Sequence, residues 1–456
     1  MTGIVVDRAA ESKDSPLQRF ARHFDWVLFG DVVLLCGIGL VMVYSASLRF
    51  GNPEVYFGKQ LTAFLIGMAA LFVLATVNYQ VFSQYPKFLF FISVSILALV
   101  LAAGTSYRGT RAWFTAGPFS FQPSEISKLL VILLLGIWCS RNIKEMRHLK
   151  SLAVPFFIVL CHIILILLQP DFGSILVYMP VLLAVLYAAG ARLAHLSVLL
   201  LYGLVAAAVL LAHTALSLSA RLMQGSEFWA MIYHGTEISK EFLIVQAVLG
   251  GIVLFSWWLS RQLRFRVPGI YFLSFFLIVA AGWSSASLFL NSLKEYQRKR
   301  LDVFLMPSLD PSGAGYHVIQ SEVALGSGRI FGKGLFSGTQ SQLGFLPEQH
   351  TDFIFSVLGE ELGFVFSAFV MLLYLVLLLR AVRIAGDSRD HFGSLVAIGI
   401  AVMFAFYIFM NLAMVMGLAP ITGLPLPFLS YGGSAMISSL AAVGLLLSIH
   451  VRRFTH

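Results

Sequence analysis

Titratable residues gather in the longest polar stretch of the sequence, residues 300–355. Asp310 precedes a glycine-rich part of it, and three further titratable residues stand near its end: Glu348, His350 and Asp352. A carboxylate can serve as a general base, and glycine lets the backbone approach a polar ligand closely. The glycines lack P-loop spacing, and no His or Cys spacing is typical of a metal site. The stretch predicts a polar-ligand site, although Asp-Pro followed by glycine is also an ordinary turn sequence.

Two more charged residues stand at the ends of apolar runs. Lys59 lies at the mouth of the second run, where a lysine either anchors the helix at the interface or binds an anionic ligand. Asp171 follows Pro170, where one apolar run ends and the next begins at once. Such an aspartate either caps the next helix or contacts a substrate or ion. The sequence leaves both pairs of alternatives open.

Glu125 and Lys128 form a third charged motif. They are three residues apart in Gln-Pro-Ser-Glu-Ile-Ser-Lys, after a proline that is typical of a helix start. At this spacing, the two side chains can meet on one helix face. They predict either a structural ion pair that closes the helix end or a charged pair presented to an anionic headgroup.

The amino-acid composition indicates which kind of secondary structure positions these charged residues. Hydrophobic residues make up 59% of the chain, charged residues only 12%, and the mean hydropathy is +0.86. Soluble domains carry roughly a quarter charged residues. The apolar runs are also too long for the strands of a membrane barrel. We therefore predict an all-α polytopic membrane protein and exclude the soluble enzyme classes.

Twelve apolar runs have the length of a membrane span. They are residues 27–47, 60–78, 88–104, 124–140, 151–168, 172–189, 196–213, 242–259, 269–290, 353–379, 391–416 and 432–449. With a cytoplasmic N-terminus, most Lys and Arg outside the long loop fall on the inner side. This predicts cytoplasmic tails at 1–26 and 451–456, spans within 27–290 and 353–450, and an extracytoplasmic loop at 291–352.

Residues 420–434 interrupt the last apolar region. They read Pro-Ile-Thr-Gly-Leu-Pro-Leu-Pro-Phe-Leu-Ser-Tyr-Gly-Gly-Ser, with three prolines and a glycine pair. Irregular backbone at membrane depth is tolerated only where protein or a cavity surrounds it. We therefore predict a broken helix that contains Ser430 and lies beside the same outer chamber as the long loop.

Seven motifs in this order resemble the SEDS family of shape, elongation, division and sporulation proteins. The motifs are Tyr44-Ser-Ala-Ser47, Phe121-Gln-Pro-Ser-Glu125 with Lys128, Gln169-Pro-Asp171-Phe-Gly173, Asp310-Pro-Ser-Gly-Ala-Gly-Tyr-His317, Gly338-Thr-Gln-Ser-Gln-Leu343, Phe345-Leu-Pro-Glu-Gln-His-Thr-Asp-Phe-Ile-Phe355 and Pro425-Leu-Pro-Phe-Leu-Ser-Tyr-Gly-Gly-Ser434. The variants are more similar to the cell-elongation branch than to the cell-division branch. The family usually has ten spans, so this chain is expected to carry an extra pair around residues 196–259.

The resemblance implies a peptidoglycan glycosyltransferase that polymerises lipid II during cell-wall elongation and cell-shape maintenance. It implies an active site on the outer face of the bacterial cytoplasmic (inner) membrane and a class B penicillin-binding transpeptidase as partner. We expect contacts with membrane lipid, no nucleic-acid partner and no organic cofactor. A divalent cation, Mg²⁺ or Mn²⁺, could assist the departing pyrophosphate.

The family's essential carboxylate falls on Asp310, which the resemblance makes the general base. Lys59 and Lys128 are the candidate cations for pyrophosphate, and Glu125 would orient Lys128. The full set of candidate substrate-binding residues is Lys59, Glu125, Lys128, Asp171, Tyr316, Gln320, Glu348, His350, Asp352 and Ser430.

Two other functions use the same residues. A flippase for a lipid-linked precursor would need no base, and its mark would be charge buried midway through several spans. A non-catalytic scaffold would activate a partner transpeptidase and offer its extra spans as a docking surface.

Overall fold

The computed structural model describes residues 22–107, 110–116, 119–219, 227–236, 240–265, 267–293, 295–306, 314–346 and 348–454. The α-helices are α1 Trp26–Ser47, α2 Pro53–Thr76, α3 Pro86–Ala103, α4 Pro123–Arg141, α5 Ala153–Leu168, α6 Phe172–Ala188, α7 Leu193–Leu218, α8 Glu227–His234, α9 Lys240–Gln262, α10 Gly269–Ser292, α11 Glu295–Leu305, α12 Ala314–Ser327, α13 Thr339–Gln342, α14 Ile354–Asp387, α15 His391–Val415 and α16 Gly433–Val451. The strands are β1 Thr105–Tyr107, β2 Thr110–Ala116 and β3 Phe119–Phe121.

The helices confirm a polytopic membrane protein. In the part of the chain that the structure describes, 11 helices are long and apolar enough to cross a membrane, and α6 is a shorter apolar helix. Each of the twelve predicted spans coincides with one of these helices. The second span begins at Pro53, a proline at the helix start, and so earlier than predicted. The chain is a multi-pass membrane protein.

A small antiparallel sheet between α3 and α4 is an addition to the predicted all-α fold. Its order is β1-β2-β3, with Thr105 opposite Trp113 and Phe114 opposite Phe121. The sequence prediction missed it because two of its three strands have only three residues and the sheet lies in a connection between two spans. The sheet brings Trp113 and Phe121 to the wall of the cavity described below.

The chain folds into two compact units. The larger comprises the described parts of Met1–Ala191, Gln320–Leu418 and Thr422–His456, and the smaller those of Arg192–Ile319 and Ala419–Ile421. The core of the larger unit contains α4 and α16, in whose most apolar windows 78% and 83% of the residues are buried. α16 packs on α2 at a distance that Gly444 permits, since a Cβ there would lie 2.6 Å from the Leu71 carbonyl oxygen. Small residues allow such close packing of membrane helices.

The predicted broken helix is confirmed between α15 and α16. Residues 420–432 are not helical, yet Leu426, Phe428 and Leu429 are almost completely buried. Side chains from other helices satisfy the freed backbone groups: Asn411 donates to the Leu424 carbonyl at 2.9 Å, and Tyr374 donates to the Pro427 carbonyl at 2.6 Å. The protein thus replaces the hydrogen bonds that lipid cannot provide.

A second irregular segment, residues 329–334, pairs with a break in α14. Gly363 has φ 75° and ψ −173°, which interrupts the helical ladder. The Phe364 amide donates to the Arg329 carbonyl at 2.9 Å, and the Lys333 amide donates to the Glu360 carbonyl at 3.0 Å. The glycine-rich part of the long loop is therefore attached to a membrane helix and is not free in water.

The smaller unit contains α7 to α11 and therefore the extra pair of spans. Within it, the Tyr202 and Ser285 hydroxyls hydrogen-bond at 2.6 Å between α7 and α10. Trp283 donates to the Gly235 carbonyl at 2.9 Å. The predicted domain boundaries at 290/291 and 352/353 fall near the end of α10 and the start of α14. The extracytoplasmic location of residues 291–352 stays a prediction.

Gly39→Ala should destabilise the larger unit, because a Cβ at residue 39 would lie 2.2 Å from the Phe428 carbonyl oxygen. Overpacking of this kind costs about 1–3 kcal/mol. Gly30→Ala on the same helix is the matched control, since nothing lies within 4 Å of a Cβ there. Thermal unfolding in detergent should show a lower midpoint for Gly39→Ala only. Equal midpoints for the two variants would contradict the close approach.

Candidate functional site

A cavity of about 910 Å³ lies in the larger unit, at the end where α2 and α16 begin. Its wall comes from five parts of the chain: the turn after α1, the N-terminal turns of α2, the small sheet, the loop before α14, and the end of the re-entrant segment with the start of α16. The charged side chains among its described lining residues are Arg49, Lys59 and Glu348. Ala63, Ile66 and Ile437 provide an apolar part of the lining. The cavity combines polar and lipid-like surfaces.

Aromatic rings form one wall of this cavity around His350. The centroids of Phe50, Tyr56 and Tyr431 lie 5.4, 5.3 and 5.3 Å from that of His350. The Tyr431 amide donates to the His350 carbonyl at 2.8 Å, which joins the loop before α14 to the re-entrant segment.

Arg49 and Lys59 give the cavity its positive charge. The guanidinium of Arg49 donates to the Gly344 carbonyl at 2.6 Å and has further N–H groups. Lys59 is exposed and lines the cavity, and its role as a ligand cation stays a prediction. The next residue, Gln60, is completely buried; its side chain donates to the Ser430 carbonyl and accepts from the Gly432 amide, both at 3.1 Å.

The predicted pair of Glu125 and Lys128 is present, and it is buried. The Lys128 ammonium donates to Glu125 Oε1 at 2.6 Å, and the two residues are 2% and 7% exposed, Lys128 being the less exposed. The phenol of Tyr407 accepts from Lys128 and donates to Glu125 Oε2 at 3.1 Å. Lys128 is not among the described residues that line the cavity. These contacts match the structural alternative, an ion pair inside the protein.

Asp171 caps α6, as one of its two alternatives predicted. Its Oδ1 accepts from the Ser174 amide at 3.2 Å, and its Oδ2 accepts from the Ser174 hydroxyl at 2.7 Å. The same Oδ2 accepts from the Gln122 side-chain amide at 2.8 Å. The carboxylate therefore joins the starts of α4 and α6 beside the residues that reach the cavity.

Three other predicted residues lie near the re-entrant segment. The Ser430 hydroxyl is buried and accepts from the Leu426 amide at 2.8 Å, which fixes the turn of the broken helix. The Asp352 carbonyl accepts from Asn411 at 3.0 Å. Glu348 lines the cavity and has a left-handed φ of 48°. Glu348 and His350 are thus brought together with Lys59 in one cavity.

The remaining predicted residues are in or before α12. Tyr316 and Gln320 are four residues apart on this helix. Both side chains are half-buried. Asp310 lies outside the described residues, so its role as general base stays a prediction.

Within the described ranges, no group of three or more His, Cys, Asp or Glu side chains could hold a metal ion. The assisting Mg²⁺ or Mn²⁺ stays a prediction, and no step below depends on it.

The family follows from a comparison with known proteins. The sequence profile of the FtsW/RodA/SpoVE family, described as cell cycle protein, matches residues 26–230 and 226–454. The chain belongs to this family. The resemblance to the SEDS proteins is thereby confirmed over the whole membrane part.

Relatives of this FtsW/RodA/SpoVE member match it over nearly its whole length. The peptidoglycan glycosyltransferase RodA of Treponema pallidum is 33% identical over 444 residues, 95% of this chain and 99% of the relative. The peptidoglycan glycosyltransferase MrdB of Escherichia coli K12 is 31% identical over 432 residues, 94% of each chain. A chain of a solved peptidoglycan synthase complex that coordinates polymerization and crosslinking aligns with a TM-score of 0.63 and 26% identity, over 95% of this chain and 99% of that one.

Sequence reasoning missed two buried carboxylates of this family member. Glu360 accepts from the Lys333 ammonium at 2.8 Å and from the Gln340 amide at 2.8 Å. Glu361 accepts from the Ser45 hydroxyl at 2.7 Å and from the Phe336 amide at 3.2 Å. Together they attach the glycine-rich segment to α14 and α1. Two adjacent glutamates inside an apolar run were the available signal, since burying a charge is costly unless it is paired.

A double-mutant cycle tests the structural role of the buried pair. Lys128→Met should destabilise the protein by about 3–5 kcal/mol, because it leaves Glu125 buried without its cation. Glu125→Gln combined with Lys128→Met should be less destabilised than the sum of the single variants, since the unpaired charge is gone. Thermal unfolding in detergent measures all three variants. Additive single effects would show that the two side chains do not depend on each other.

Proposed function

We propose that this protein is a peptidoglycan glycosyltransferase that polymerises lipid II into glycan strands. The observation that carries the proposal is the cavity, in which Arg49 and Lys59 stand beside an apolar lining. A lipid-linked disaccharide pyrophosphate needs this combination of cations and apolar surface. The names of the relatives from Treponema pallidum and Escherichia coli support the same activity.

The proposed reaction is an attack by an acceptor hydroxyl on the anomeric carbon of the donor sugar. A new glycosidic bond forms, the bond to pyrophosphate breaks, and the acceptor proton passes to a general base. Arg49 and Lys59 stabilise the negative charge that develops on the departing pyrophosphate. Asp310 is proposed as the base because it occupies the position of the family's essential carboxylate. Without it, the attacking hydroxyl would have to lose its proton to water.

The remaining lining residues are proposed to hold the rest of the substrate. Trp113 and Tyr56 offer aromatic faces for the sugar rings, and the phenol of Tyr431 offers a hydrogen-bond donor. Ile66 and Ile437 extend the cavity towards the membrane part of α2 and α16, where a lipid chain would enter. The buried pair of Glu125 and Lys128 on α4 is proposed to stabilise the helix that follows the small sheet, without contacting the substrate.

The cavity is proposed to open on the outer face of the cytoplasmic membrane. The opposite ends of the helices are rich in arginine: Arg380 pairs with Asp25 at 2.5 Å, and Arg453 pairs with Asp387 at 2.9 Å. Because positive residues are retained on the cytoplasmic side, the arginine-rich end is expected inside. We further propose action in cell-wall elongation with a class B penicillin-binding transpeptidase, in line with the synthase complex that shares the fold.

Asp310→Asn should stop glycan growth without unfolding the protein. Loss of a general base lowers the rate by about 10²–10⁴-fold. Purified protein with labelled lipid II, with and without a partner transpeptidase, should give polymer on a gel for the wild type only. Thermal unfolding and lipid II binding should be unchanged. Polymer from Asp310→Asn at the wild-type rate would refute the assignment, and transbilayer movement of lipid II without polymer would favour a flippase.

Lys59→Met should lower polymerisation by about 10²-fold, as expected when one group that stabilises transition-state charge is lost. Lys87→Met is the matched control, because Lys87 is an exposed lysine at the start of α3 and is not a cavity residue. The same gel assay compares the two variants, after thermal unfolding has shown that their midpoints are the same. If Lys87→Met lost as much activity as Lys59→Met, the cavity would not be the site of phosphate binding.

A further inference from the structure

A second, smaller cavity lies in the other unit, on the hairpin of α9 and α10. It has a volume of about 340 Å³ and is lined almost only by apolar and aromatic side chains, among them Val253, Val267, Tyr271 and Phe275. One polar side chain, Ser256, also lines it. A groove of this composition takes a hydrocarbon chain and offers nothing to a sugar or a phosphate. We call it the hairpin groove.

The hairpin groove belongs to a helix that is open on nearly all sides within the described chain. Only 6% of the residues in the most apolar window of α9 are buried. Ile252 and Phe275 at the groove are 57% and 51% exposed. Since the helix is long and apolar enough to cross a membrane, its surroundings are acyl chains.

A cation oriented by an aromatic ring lies near the end of α9, between the groove residues Ser256 and Val267 in the sequence. The guanidinium carbon of Arg261 lies 4.4 Å from the centroid of the Trp257 ring. The same ring packs on Gly269 so closely that a Cβ at residue 269 would be 3.0 Å from the indole nitrogen. Stacking on an aromatic face orients the guanidinium and leaves its N–H groups free to bind an anion.

A second arginine occupies the turn itself. Arg264 has a left-handed φ of 57°, at a helix end where glycine is the usual residue. The Phe265 amide donates to the Ser260 carbonyl at 2.9 Å, which closes the end of α9. The sequence from Trp257 to Phe276 contains three arginines, at 261, 264 and 266, and no Asp or Glu, so no carboxylate of this segment neutralises them. A membrane surface at this hairpin end meets an excess of positive charge from the segment.

We propose that the hairpin groove is a binding site for an anionic phospholipid. One acyl chain lies in the groove along Val253 and Phe275, and the phosphate is held by Arg261 and Arg264. The two arginines select an anionic headgroup over a zwitterionic one, because the choline cation would meet the same positive charge. The site is independent of the glycosyltransferase chemistry, since none of its residues lines the larger cavity.

Native mass spectrometry of the full-length protein in detergent tests the headgroup preference. The probes are dioleoyl phosphatidylglycerol and dioleoyl phosphatidylcholine, which share their acyl chains. The wild type should bind phosphatidylglycerol about tenfold more tightly, a difference of one decade in Kd. Arg261→Gln with Arg264→Gln should abolish this preference. Arg383→Gln, which removes an arginine whose side chain is 68% exposed, is the control and should leave it unchanged.

Filling the groove tests the place of the acyl chain. Ser256 is exposed, so Ser256→Phe should fold normally and should weaken the binding of both phospholipids at this site. Unchanged binding of phosphatidylglycerol to the double arginine variant would overturn the proposal. Equal binding of the two phospholipids to the wild type would also overturn it. A change from dimer to monomer in Ser256→Phe would show that a second copy of the chain fills the groove, against the lipid.

Discussion

The structure depends on one constraint: backbone that leaves the helical path inside the membrane must find its hydrogen-bond partners within the protein. The re-entrant segment before α16 finds them in side chains of other helices. Gln60 bonds the Ser430 carbonyl and the Gly432 amide, and Asn411 bonds the Leu424 carbonyl. Glu360 and Glu361 do the same for the glycine-rich segment. Irregular backbone is tolerated at membrane depth only through these long-range bonds.

This constraint also explains why a polar cavity can exist at one end of an apolar bundle. The non-helical segments collect where α2, α14 and α16 begin, and each is held by hydrogen bonds to a neighbour. Arg49 and Lys59 therefore line a cavity whose irregular wall segments already have hydrogen-bond partners within the protein. At the other end, ion pairs of Arg380 and Arg453 close the helices instead. The bundle therefore has its polar cavity at one end and buried or partly buried ion pairs at the other.

The sequence alone was sufficient for the features that depend on local pattern. Apolar length predicted the spans, and the three-residue spacing predicted the contact of Glu125 with Lys128. The Pro-Asp break offered the cap at Asp171 as one of two alternatives, which the sequence could not separate. Contacts between distant parts of the chain were not predictable. Tyr407 meets Glu125 across 282 positions, and Glu361 meets Ser45 across 316. The sheet escaped prediction because strands of three residues carry almost no periodic signal.

Gln60 makes two hydrogen bonds to the re-entrant segment: its side chain donates one and accepts the other. These bonds have a mechanical consequence. Lys59 is the adjacent residue, so the cation and the opposite wall at Tyr431 are attached to the same turn of α2. A displacement of the Lys59 ammonium towards a bound anion is therefore transmitted through α2 and Gln60 to the backbone on both sides of Tyr431. The position of Lys59 relative to Tyr431 is therefore set by how α2 packs on the re-entrant segment.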